Sequence, residues 1–275
     1  MEQSLSVNIT NVSYSVVFNF EKQFSVKSFN EYVQEKWTNS FVYSVLYLIV
    51  IFGGRHSMSA RPRYELRPAL AIWSGTLALF SIAGTVRTLP EAIAAIRNHS
   101  LQYSVCVPGF FFHDVTKFWA SAFTLSKVIE LGDTIFIVLR KQQLIFLHWY
   151  HHITVLIYSW YSYKDYIAPG RWFMVMNFVI HSFMYSYYTL RALKFNVPSY
   201  VNIFITAMQL TQMVCGCAIN VWIFQIKGRG ETCHQTYNNI YLSLLMYFSY
   251  FVLFAHFFYS TYVLKKGRGK VKKSM

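Results

Sequence analysis

Long apolar runs separated by short polar stretches are the dominant pattern along this chain. Seven of the runs have roughly the 20 residues that a helix needs to cross a bilayer core, with tryptophan and tyrosine near their ends. They lie at residues 38–54, 69–89, 116–139, 145–163, 172–190, 199–225 and 239–263. The pattern predicts an all-α membrane protein with seven transmembrane helices. The predicted organisation is an N-terminal segment at 1–37, a seven-span domain at 38–263 and a basic tail at 264–275.

The composition agrees with a membrane protein. Only 13% of the 275 residues are charged and 55% are apolar, whereas about 25% of the residues in a soluble domain are charged. The net charge is +14, but the basic residues gather at the ends of the spans rather than on one folded face. We therefore expect this charge to set the topology in the membrane and not to bind nucleic acid.

Three features orient the predicted spans. If the C-terminus is cytosolic, the cytosolic span ends carry the larger share of lysine and arginine, as the positive-inside rule requires. Asn8 and Asn11 begin N-glycosylation sequons, which are used on lumenal segments but also occur by chance. Lys272 and Lys273 resemble a cytosolic dilysine retrieval signal, with a basic flank of the last helix as the alternative. We predict an endoplasmic reticulum membrane protein with a lumenal N-terminus and a cytosolic tail.

Two cysteines fall in predicted lumenal loops. Cys106 follows span two and Cys233 follows span six. Because the lumen permits oxidation, we expect a Cys106–Cys233 disulfide, with two free thiols as the alternative. Cys215 and Cys217 lie inside span six, where packing is the expected role.

Histidines mark the candidate site. His148, His151 and His152 occupy positions i, i+3 and i+4 at the start of span four, so they share one face of the helix. Imidazole acts as a base, a nucleophile or a metal ligand near neutral pH, and polar groups inside a membrane usually mark function. We expect the chemistry of the protein at this cluster.

Other spans add polar side chains that a single buried chamber would bring to the histidines. Each has a structural alternative, because polar groups in membrane helices also bond to one another. The candidates are Lys127, Glu130 and Asp133 in span three, Asn177, His181, Tyr187 and Tyr188 in span five, and Gln209 and Gln212 in span six. Such a chamber suits an amphiphile, with its polar head near the histidines and its hydrocarbon tail in the membrane.

Three functions are compatible with a histidine cluster in a membrane. A metal-dependent lipid oxidase needs several histidine boxes, whereas the histidines outside this cluster are scattered. Acyl transfer needs a nucleophile, and imidazole is the best one available, because no cysteine or GxSxG serine lies beside the cluster. A non-enzymatic seven-span lipid receptor or transporter fits the span count, but the broken spans typical of transporters are absent.

Four motifs carry a resemblance to a known family. They are KVIELGDT (127–134), LHWYHH (147–152), NFVIHSFMYSYY (177–188) and QLTQM (209–213), in this order. With them the chain resembles the very-long-chain fatty acid elongases, the fatty acyl-CoA 3-oxoacyl synthases of the endoplasmic reticulum. FEKQF (20–24), FGGRH (52–56) and SWYSYKD (159–165) are similar to the subgroup that extends saturated and monounsaturated acyl groups of palmitate type.

The resemblance implies condensation of long-chain acyl-CoA with malonyl-CoA to give 3-oxoacyl-CoA, carbon dioxide and CoA, without a metal or other cofactor. It also implies that spans two to seven form an inverted six-helix barrel around an acyl tunnel, surrounded by membrane lipids. Because the chain has no dinucleotide fingerprint, the ketoacyl reductase, dehydratase and enoyl reductase of the cycle are expected to be separate partners. A homo-oligomer is compatible with this organisation.

The mechanism expected on this basis begins with His151 attacking the acyl thioester, with His152 as the alternative nucleophile. His181 and His152 handle the proton or stabilise the enolate, and His148 orients the nucleophile together with Glu130 and Asp133. The residues expected to line the path of the substrate are Lys127, Asn177, Tyr187, Tyr188, Gln209 and Gln212. The closed end of the tunnel, which would set the longest acyl chain, is expected near Cys215 or Ile219.

Overall fold

The computed structural model of the protein describes residue 10 and residues 12–264. This described part is helical, and no strand occurs within it. The sequons at Asn8 and Asn11 and the tail lysines Lys272 and Lys273 lie outside the described residues, so their roles stay predictions.

The described chain consists of α-helices with one short 3-10 turn and a final π-helical segment. In chain order the elements are α1 Asn19–Gln23, α2 Val26–Lys36, α3 Asn39–Ser57, α4 Arg67–Asn98, α5 Leu101–Cys106, the 3-10 turn Gly109–Phe111, α6 Asp114–Ile129, α7 Gly132–Leu139, α8 Phe146–Lys164, α9 Gly170–Ala192, α10 Ser199–Gly228, α11 Tyr237–Phe258 and the π segment Tyr259–Leu264.

Most predicted spans correspond to single helices whose ends differ from the prediction by a few residues. Span one is α3, spans four to six are α8 to α10, and span seven is α11 with the π segment. Span two is longer than predicted, because α4 continues past Pro90 to Asn98. The described helices that are long and apolar enough to cross a membrane are Asn39–Met58, Arg67–Asn98, Ser199–Gly228 and Tyr237–Val263. The protein is therefore a multi-pass membrane protein.

Span three departs from the prediction of one helix at 116–139, because the chain forms α6 and α7 with a turn between them. At this turn the backbone N–H groups of Asp133 and Thr134 donate to carbonyls three residues earlier, those of Glu130 and Leu131, at 3.1 and 3.3 Å. Tighter winding of this kind inside a helix often marks a functional interruption. Here it lies beside the two carboxylates predicted for the site.

Helices α4 and α9 are antiparallel and in close contact, since Gly75 packs near Thr189 and Gly84 near Phe178. The contact is close because α4 carries small side chains on its buried face, as membrane helices often do. These buried small residues are Ala71, Ser74, Ala78, Ser81, Gly84, Ala92 and Ala95. A Cβ atom at Gly84 would stand 2.6 Å from the Phe178 ring, so a larger residue needs the two helices to shift.

A central cavity lies between the helices, and α3 packs outside it. Helices α4 and α6 to α11 all contribute residues to the lining, which follows α8 from His148 to Tyr163. Helix α3 instead contacts α7 and α8, where Tyr47 and Ile51 pack against Val138. The helices of predicted spans two to seven thus enclose the cavity. The helix of predicted span one, α3, does not line it.

Two long-range links hold the end of the bundle away from the histidines. A disulfide joins Cys106 to Cys233, which are 127 residues apart in the chain. The buried guanidinium of Arg171 donates to the two carboxylate oxygens of Glu91 at 2.9 and 3.0 Å, and to the carbonyl oxygen of Val107 at 3.1 Å. Both links fix the segment that connects α5 to the 3-10 turn.

Candidate active site

The central cavity has a volume of about 640 Å³, within the range of small-molecule sites in proteins. Its lining includes nearly all residues predicted for the site: Glu130, Asp133, His148, His151, His152, Asn177, His181, Tyr187, Tyr188, Gln209 and Gln212. Lys127 is the exception, because its side chain lies behind the lining. The structure thus gathers side chains from four predicted spans around one space.

The three histidines of α8 form one cluster on the cavity wall. The ring centroids of His148 and His152 are 4.5 Å apart, and those of His151 and His152 are 5.6 Å apart. The helical repeat explains the cluster, since positions i, i+3 and i+4 lie on one face. His181 reaches the same cavity from α9. A substrate in the cavity therefore meets imidazoles from two helices.

Two of the four histidines are held by hydrogen bonds. The Nε2 atom of His148 is 2.9 Å from Thr134 Oγ1, which is 2.7 Å from the hydroxyl of Tyr47. The Nε2 atom of His181 is 3.1 Å from Asn177 Nδ2. These bonds fix the ring orientations of His148 and His181. Thr134, which was not among the predicted site residues, is the partner of His148.

The other two histidines have ring nitrogens without a hydrogen-bond partner among the described residues. Within the described residues the His151 ring makes no hydrogen bond, although its carbonyl accepts one from Tyr250 at 3.3 Å. The Nδ1 atom of His152 is buried and likewise finds no partner in the described part of the chain. An unpaired buried polar atom is costly, and such atoms often belong to functional sites. His151 and His152 therefore have nitrogens free to meet a substrate.

Lys127 organises the wall of the site without reaching the cavity. Its ammonium group donates to both carboxylate oxygens of Glu130, at 2.8 and 3.1 Å, and to Asn177 Oδ1 at 2.8 Å. Only 1% of the Lys127 residue surface is exposed. Glu130 Oε1 is also 3.9 Å from His181 Nδ1. The ion pair between Lys127 and Glu130 neutralises two buried charges, and it positions the groups around His181.

Asp133 is held by two aromatic side chains that were not among the predicted site residues. The indole N–H of Trp73 donates to Asp133 Oδ1 at 2.6 Å, and the hydroxyl of Tyr185 donates to Oδ2 at 2.7 Å. Gly132 makes room for this arrangement, since a Cβ atom there would stand 2.6 Å from the Trp73 ring. Aromatic residues make up 19% of the chain, so composition gave no reason to select these two.

The two residues near which the closed end was predicted do not themselves line the cavity: Cys215 and Ile219 are absent from its lining. Ile219 packs against the side chains around Ile223 and also against the cluster that contains Ile167 and Phe173, which do line the cavity. The end away from the histidines is formed by the 3-10 turn together with the residues between α8 and α9. These residues are Phe110, Phe111, Tyr163, Ile167 and Gly170. Helical periodicity carries no information about loops, so the sequence pattern does not predict these residues.

Three arginines line the cavity at the histidine end. Arg67 begins α4, Arg140 follows α7, and Arg191 lies in the last turn of α9. Sequence reasoning had used these residues only to orient the spans. Guanidinium groups bind phosphates through planar, paired hydrogen bonds. This end, which we call the mouth of the cavity, is therefore suited to a phosphorylated ligand.

The described residues include no group of three or more histidine, cysteine, aspartate or glutamate side chains placed to hold a metal ion. What the cavity offers is a cationic mouth, unpaired imidazoles below it and an apolar far end. These features define a membrane-embedded site for a phosphate-bearing acyl compound.

Comparison with known proteins identifies the family. The family model described as "ELO: GNS1/SUR4 family" matches residues 32–270, and the chain belongs to this family of fatty acid elongases. It is 52% identical over 267 residues to very long chain fatty acid elongase 6 of Drosophila melanogaster, covering 96% of this chain and 84% of the relative. It is 52% identical over 257 residues to the human protein of that name, covering 94% and 95%. Human very long chain fatty acid elongase 3 is 40% identical over 271 residues, covering 97% and 99%.

Proposed function

We propose that the chain condenses a long-chain acyl-CoA of saturated or monounsaturated, palmitate-like type with malonyl-CoA, carrying the acyl group on His151. The products are 3-oxoacyl-CoA, carbon dioxide and CoA. The observation that supports this most is the unpaired ring of His151 at the polar end of a cavity whose far end is apolar. The relatives named as fatty acid elongases support the same reaction.

In the first half-reaction, a ring nitrogen of His151 attacks the carbonyl carbon of the acyl thioester. A C–N bond forms, the C–S bond breaks, and the sulfur leaves with the electron pair. The second ring nitrogen of His151 releases its proton, which His152 relays to the sulfur. The result is a neutral acyl-imidazole and free CoA.

In the second half-reaction, the bond between the carboxylate and the central carbon of malonyl-CoA breaks. Carbon dioxide leaves, and the electron pair stays on the carbon as an enolate. This carbon attacks the acyl-imidazole, a C–C bond forms, and the C–N bond to His151 breaks. The released imidazole takes up a proton that comes from solvent.

His181 is the group best placed to stabilise the enolate of this second step. Its Nε2 atom is fixed by Asn177, and Asn177 is fixed by Lys127. A ring held in one orientation stabilises a developing charge without having to reorganise. His148, fixed by Thr134, holds the neighbouring part of the cluster.

The CoA part of both substrates is assigned to the mouth of the cavity. Arg67, Arg140 and Arg191 supply charge for its phosphates. The thioester and its pantetheine arm then pass the polar side chains of the wall, which are Asn177, Tyr187, Tyr188, Gln209 and Gln212. Lys127, Glu130 and Asp133 position this wall.

The proposed topology has seven spans in the endoplasmic reticulum membrane. Helix α3 is span one, α4 is span two, α6 and α7 together are span three, and α8 to α11 are the rest, so spans two to seven form an inverted barrel. The disulfide at the end away from the histidines supports a lumenal position for that end. The arginines at the mouth support a cytosolic opening. The N-terminus is then lumenal and the basic tail cytosolic.

Partners of three kinds complete the proposed cycle. A ketoacyl reductase, a dehydratase and an enoyl reductase must act on the 3-oxo product before the next round. Membrane lipids surround the helices, and a homo-oligomer is compatible with the fold.

Product analysis tests the proposed reaction. Purified protein in detergent receives malonyl-CoA and a ladder of acyl-CoAs, with and without a chelator, and the products are measured by mass spectrometry. We expect 3-oxoacyl-CoAs two carbons longer than each substrate, in amounts that the chelator leaves unchanged. Acetyl-CoA in place of malonyl-CoA should give no product, because no decarboxylation drives the step. Oxidised acyl chains, or the absence of any product, would contradict the proposal.

A further inference from the structure

Helix α3 packs outside the helices that enclose the cavity, yet one of its side chains is connected to the histidine cluster. The hydroxyl of Tyr47 is 2.7 Å from Thr134 Oγ1, and Thr134 Oγ1 is 2.9 Å from Nε2 of His148. Tyr47 and Thr134 are buried and do not line the cavity, whereas His148 does. Two hydrogen bonds in series therefore run from behind the cavity wall to the ring of His148.

The hydroxyl of Thr134 can join this series because the helix is interrupted just before it. A threonine inside a continuous helix commonly donates to the carbonyl four residues earlier, as Thr124 does at 3.0 Å. Four residues before Thr134 is Glu130, whose carbonyl accepts from the backbone N–H of Asp133 at the turn between α6 and α7. Among the described residues, the Thr134 hydroxyl bonds to the tyrosine and the histidine instead.

One direction of donation uses every proton of the series. The Thr134 hydroxyl has a single proton, so it donates to one neighbour and accepts from the other. If it donated to Tyr47, the buried phenol proton would have no acceptor among the described residues, which is costly. If Tyr47 donates to Thr134, then Thr134 donates to Nε2 of His148 and both hydroxyl protons are bonded. The second arrangement is therefore favoured.

We propose that Tyr47 is a positioning residue of the active site, which holds the proton of the neutral His148 ring on Nδ1 by donating to Thr134. The inference rests on the proposed function, because it takes His148 to belong to the condensing site. A neutral imidazole carries one proton, and the bond made by one ring nitrogen decides which nitrogen has it. With Nε2 as the acceptor, Nδ1–H is the donor that His148 offers to a substrate in the cavity.

Tyr47→Phe removes the hydroxyl but keeps the ring, which packs with Ile51 and Val138. Without the phenol proton, Thr134 can accept from Nε2–H as well as donate to Nε2, so the proton of His148 is no longer held on Nδ1. We expect kcat with palmitoyl-CoA and malonyl-CoA to fall roughly tenfold, since an outer partner that fixes the tautomer of a functional histidine is worth about 10- to 100-fold. The KM for palmitoyl-CoA should not change, because Tyr47 does not line the cavity.

Tyr43→Phe is the matched control for this variant. Tyr43 lies one turn earlier on α3, where its ring packs against Trp160 rather than beside the histidines. Both variants are compared with the wild type in detergent, after thermal unfolding has shown that each is folded. The kcat of Tyr43→Phe should match that of the wild type. Equal kcat values for Tyr47→Phe and Tyr43→Phe would overturn the proposal.

A double-mutant cycle separates positioning from packing. Thr134→Val removes the hydroxyl through which Tyr47 acts, and Thr134→Ser provides another one at the same position. We expect Thr134→Val to lower kcat at least as much as Tyr47→Phe does, and Thr134→Ser to recover most of that loss. Tyr47→Phe should have no further effect in the Thr134→Val protein, because residues that act through one another are not additive. The same factor in both backgrounds would show that Tyr47 does not act through Thr134, and the proposal would fail.

The ¹⁵N chemical shifts of histidine-labelled protein locate the proton itself, and the signals of His148 are those lost in His148→Ala. We expect a protonated Nδ1 and an unprotonated Nε2 in the wild type, and a large share of protonated Nε2 in Tyr47→Phe. This result supports the proposal even if Thr134→Val is inactive. It also does so if the wild type forms no 3-oxoacyl-CoA, in which case only the proposed reaction fails. The same protonated nitrogen in the wild type and in Tyr47→Phe would overturn the proposal while leaving the reaction intact.

Discussion

At the scale of single residues, the site depends on which buried polar groups are paired. Lys127 is fully engaged by Glu130 and Asn177, whereas the ring of His151 has no partner among the described residues. The paired Lys127 builds a rigid, nearly neutral wall, and the unpaired ring leaves the proposed nucleophile, His151, free. The two side chains therefore have separate roles, which separate measurements can test.

Replacing Lys127 by methionine leaves the buried carboxylate of Glu130 without its cation. We expect the free energy of unfolding to fall by about 3–5 kcal/mol, measured by thermal or chemical unfolding in detergent micelles. The double variant Lys127→Met/Glu130→Gln should recover much of this loss, because no unpaired charge remains. Lys117→Met is the control, since it breaks a more exposed pair with Asp114 worth no more than about 1 kcal/mol. Equal losses in Lys127→Met and Lys117→Met would contradict this account.

At the scale of elements, buried contacts dock the N-terminal helices onto the bundle. The carboxylate of Glu21 in α1 accepts hydrogen bonds from Arg87 in α4 and Trp119 in α6, each at 2.9 Å. Burial alone would raise the pKa of Glu21, but the hydrogen bonds from Arg87, Trp119 and the Phe18 backbone outweigh it and lower that pKa. The charged form of the Glu21 carboxylate is thus the form that holds α1 against α4 and α6.

The lowered pKa of Glu21 predicts a stability that depends on pH. A carboxyl group whose pKa is lower in the folded state stabilises the protein above its ordinary pKa of about 4.3. That contribution is lost as the pH falls through the folded-state pKa. We therefore expect the Tm of the wild type to fall more steeply below about pH 4.3 than that of Glu21→Gln. Glu35→Gln, at an exposed position of α2, should behave as the wild type, and identical slopes in all three proteins would contradict the prediction.

The contact between α4 and α9 predicts opposite effects for two glycines of the same helix. Gly84→Ala places a Cβ atom 2.6 Å from the Phe178 ring, and such overpacking costs about 1–3 kcal/mol. Gly75→Ala places its Cβ atom at an ordinary 3.6 Å from Thr189, so the better helix propensity of alanine should leave the stability equal or raise it by about 0.5–1 kcal/mol. Unfolding in detergent measures both variants. A Gly84→Ala protein as stable as Gly75→Ala would show that the helices do not pack as described.

Sequence reasoning found what helical periodicity and polarity reveal, and it missed what depends on distant partners. The spacing of His148, His151 and His152 predicted a shared face, and the structure places all three in one cavity. The turn at Glu130 was missed, because the polar residues Glu130 and Asp133 were assigned to the site while the whole run was predicted as one helix. The bond from Thr134 to His148 was missed too, since one common side chain gives no sign of which neighbour it will meet. The residues that close the far end of the cavity were not predicted, because a loop forms part of that end.

At the scale of the whole molecule, the cavity runs between two chemically different ends. Arg67, Arg140 and Arg191 line the end with the histidines, and the residues that close the far end include the aromatic side chains of Phe110, Phe111 and Tyr163. The disulfide between Cys106 and Cys233 and the buried ion pair between Arg171 and Glu91 hold that far end. An acyl-CoA matches this division, with its phosphates at one end and its hydrocarbon tail at the other. We propose that the point of reaction then falls at His151.

The most direct test of this account is the intact mass of the protein after incubation with palmitoyl-CoA in the absence of malonyl-CoA. We expect one palmitoyl group on the wild type, none on His151→Ala, and one on the control His256→Ala, because His256 lies on α11 outside the cavity lining. Addition of malonyl-CoA should remove the group as 3-oxoacyl-CoA appears. A wild type that forms product without any adduct, or an adduct that persists in His151→Ala, would contradict the proposed role of His151.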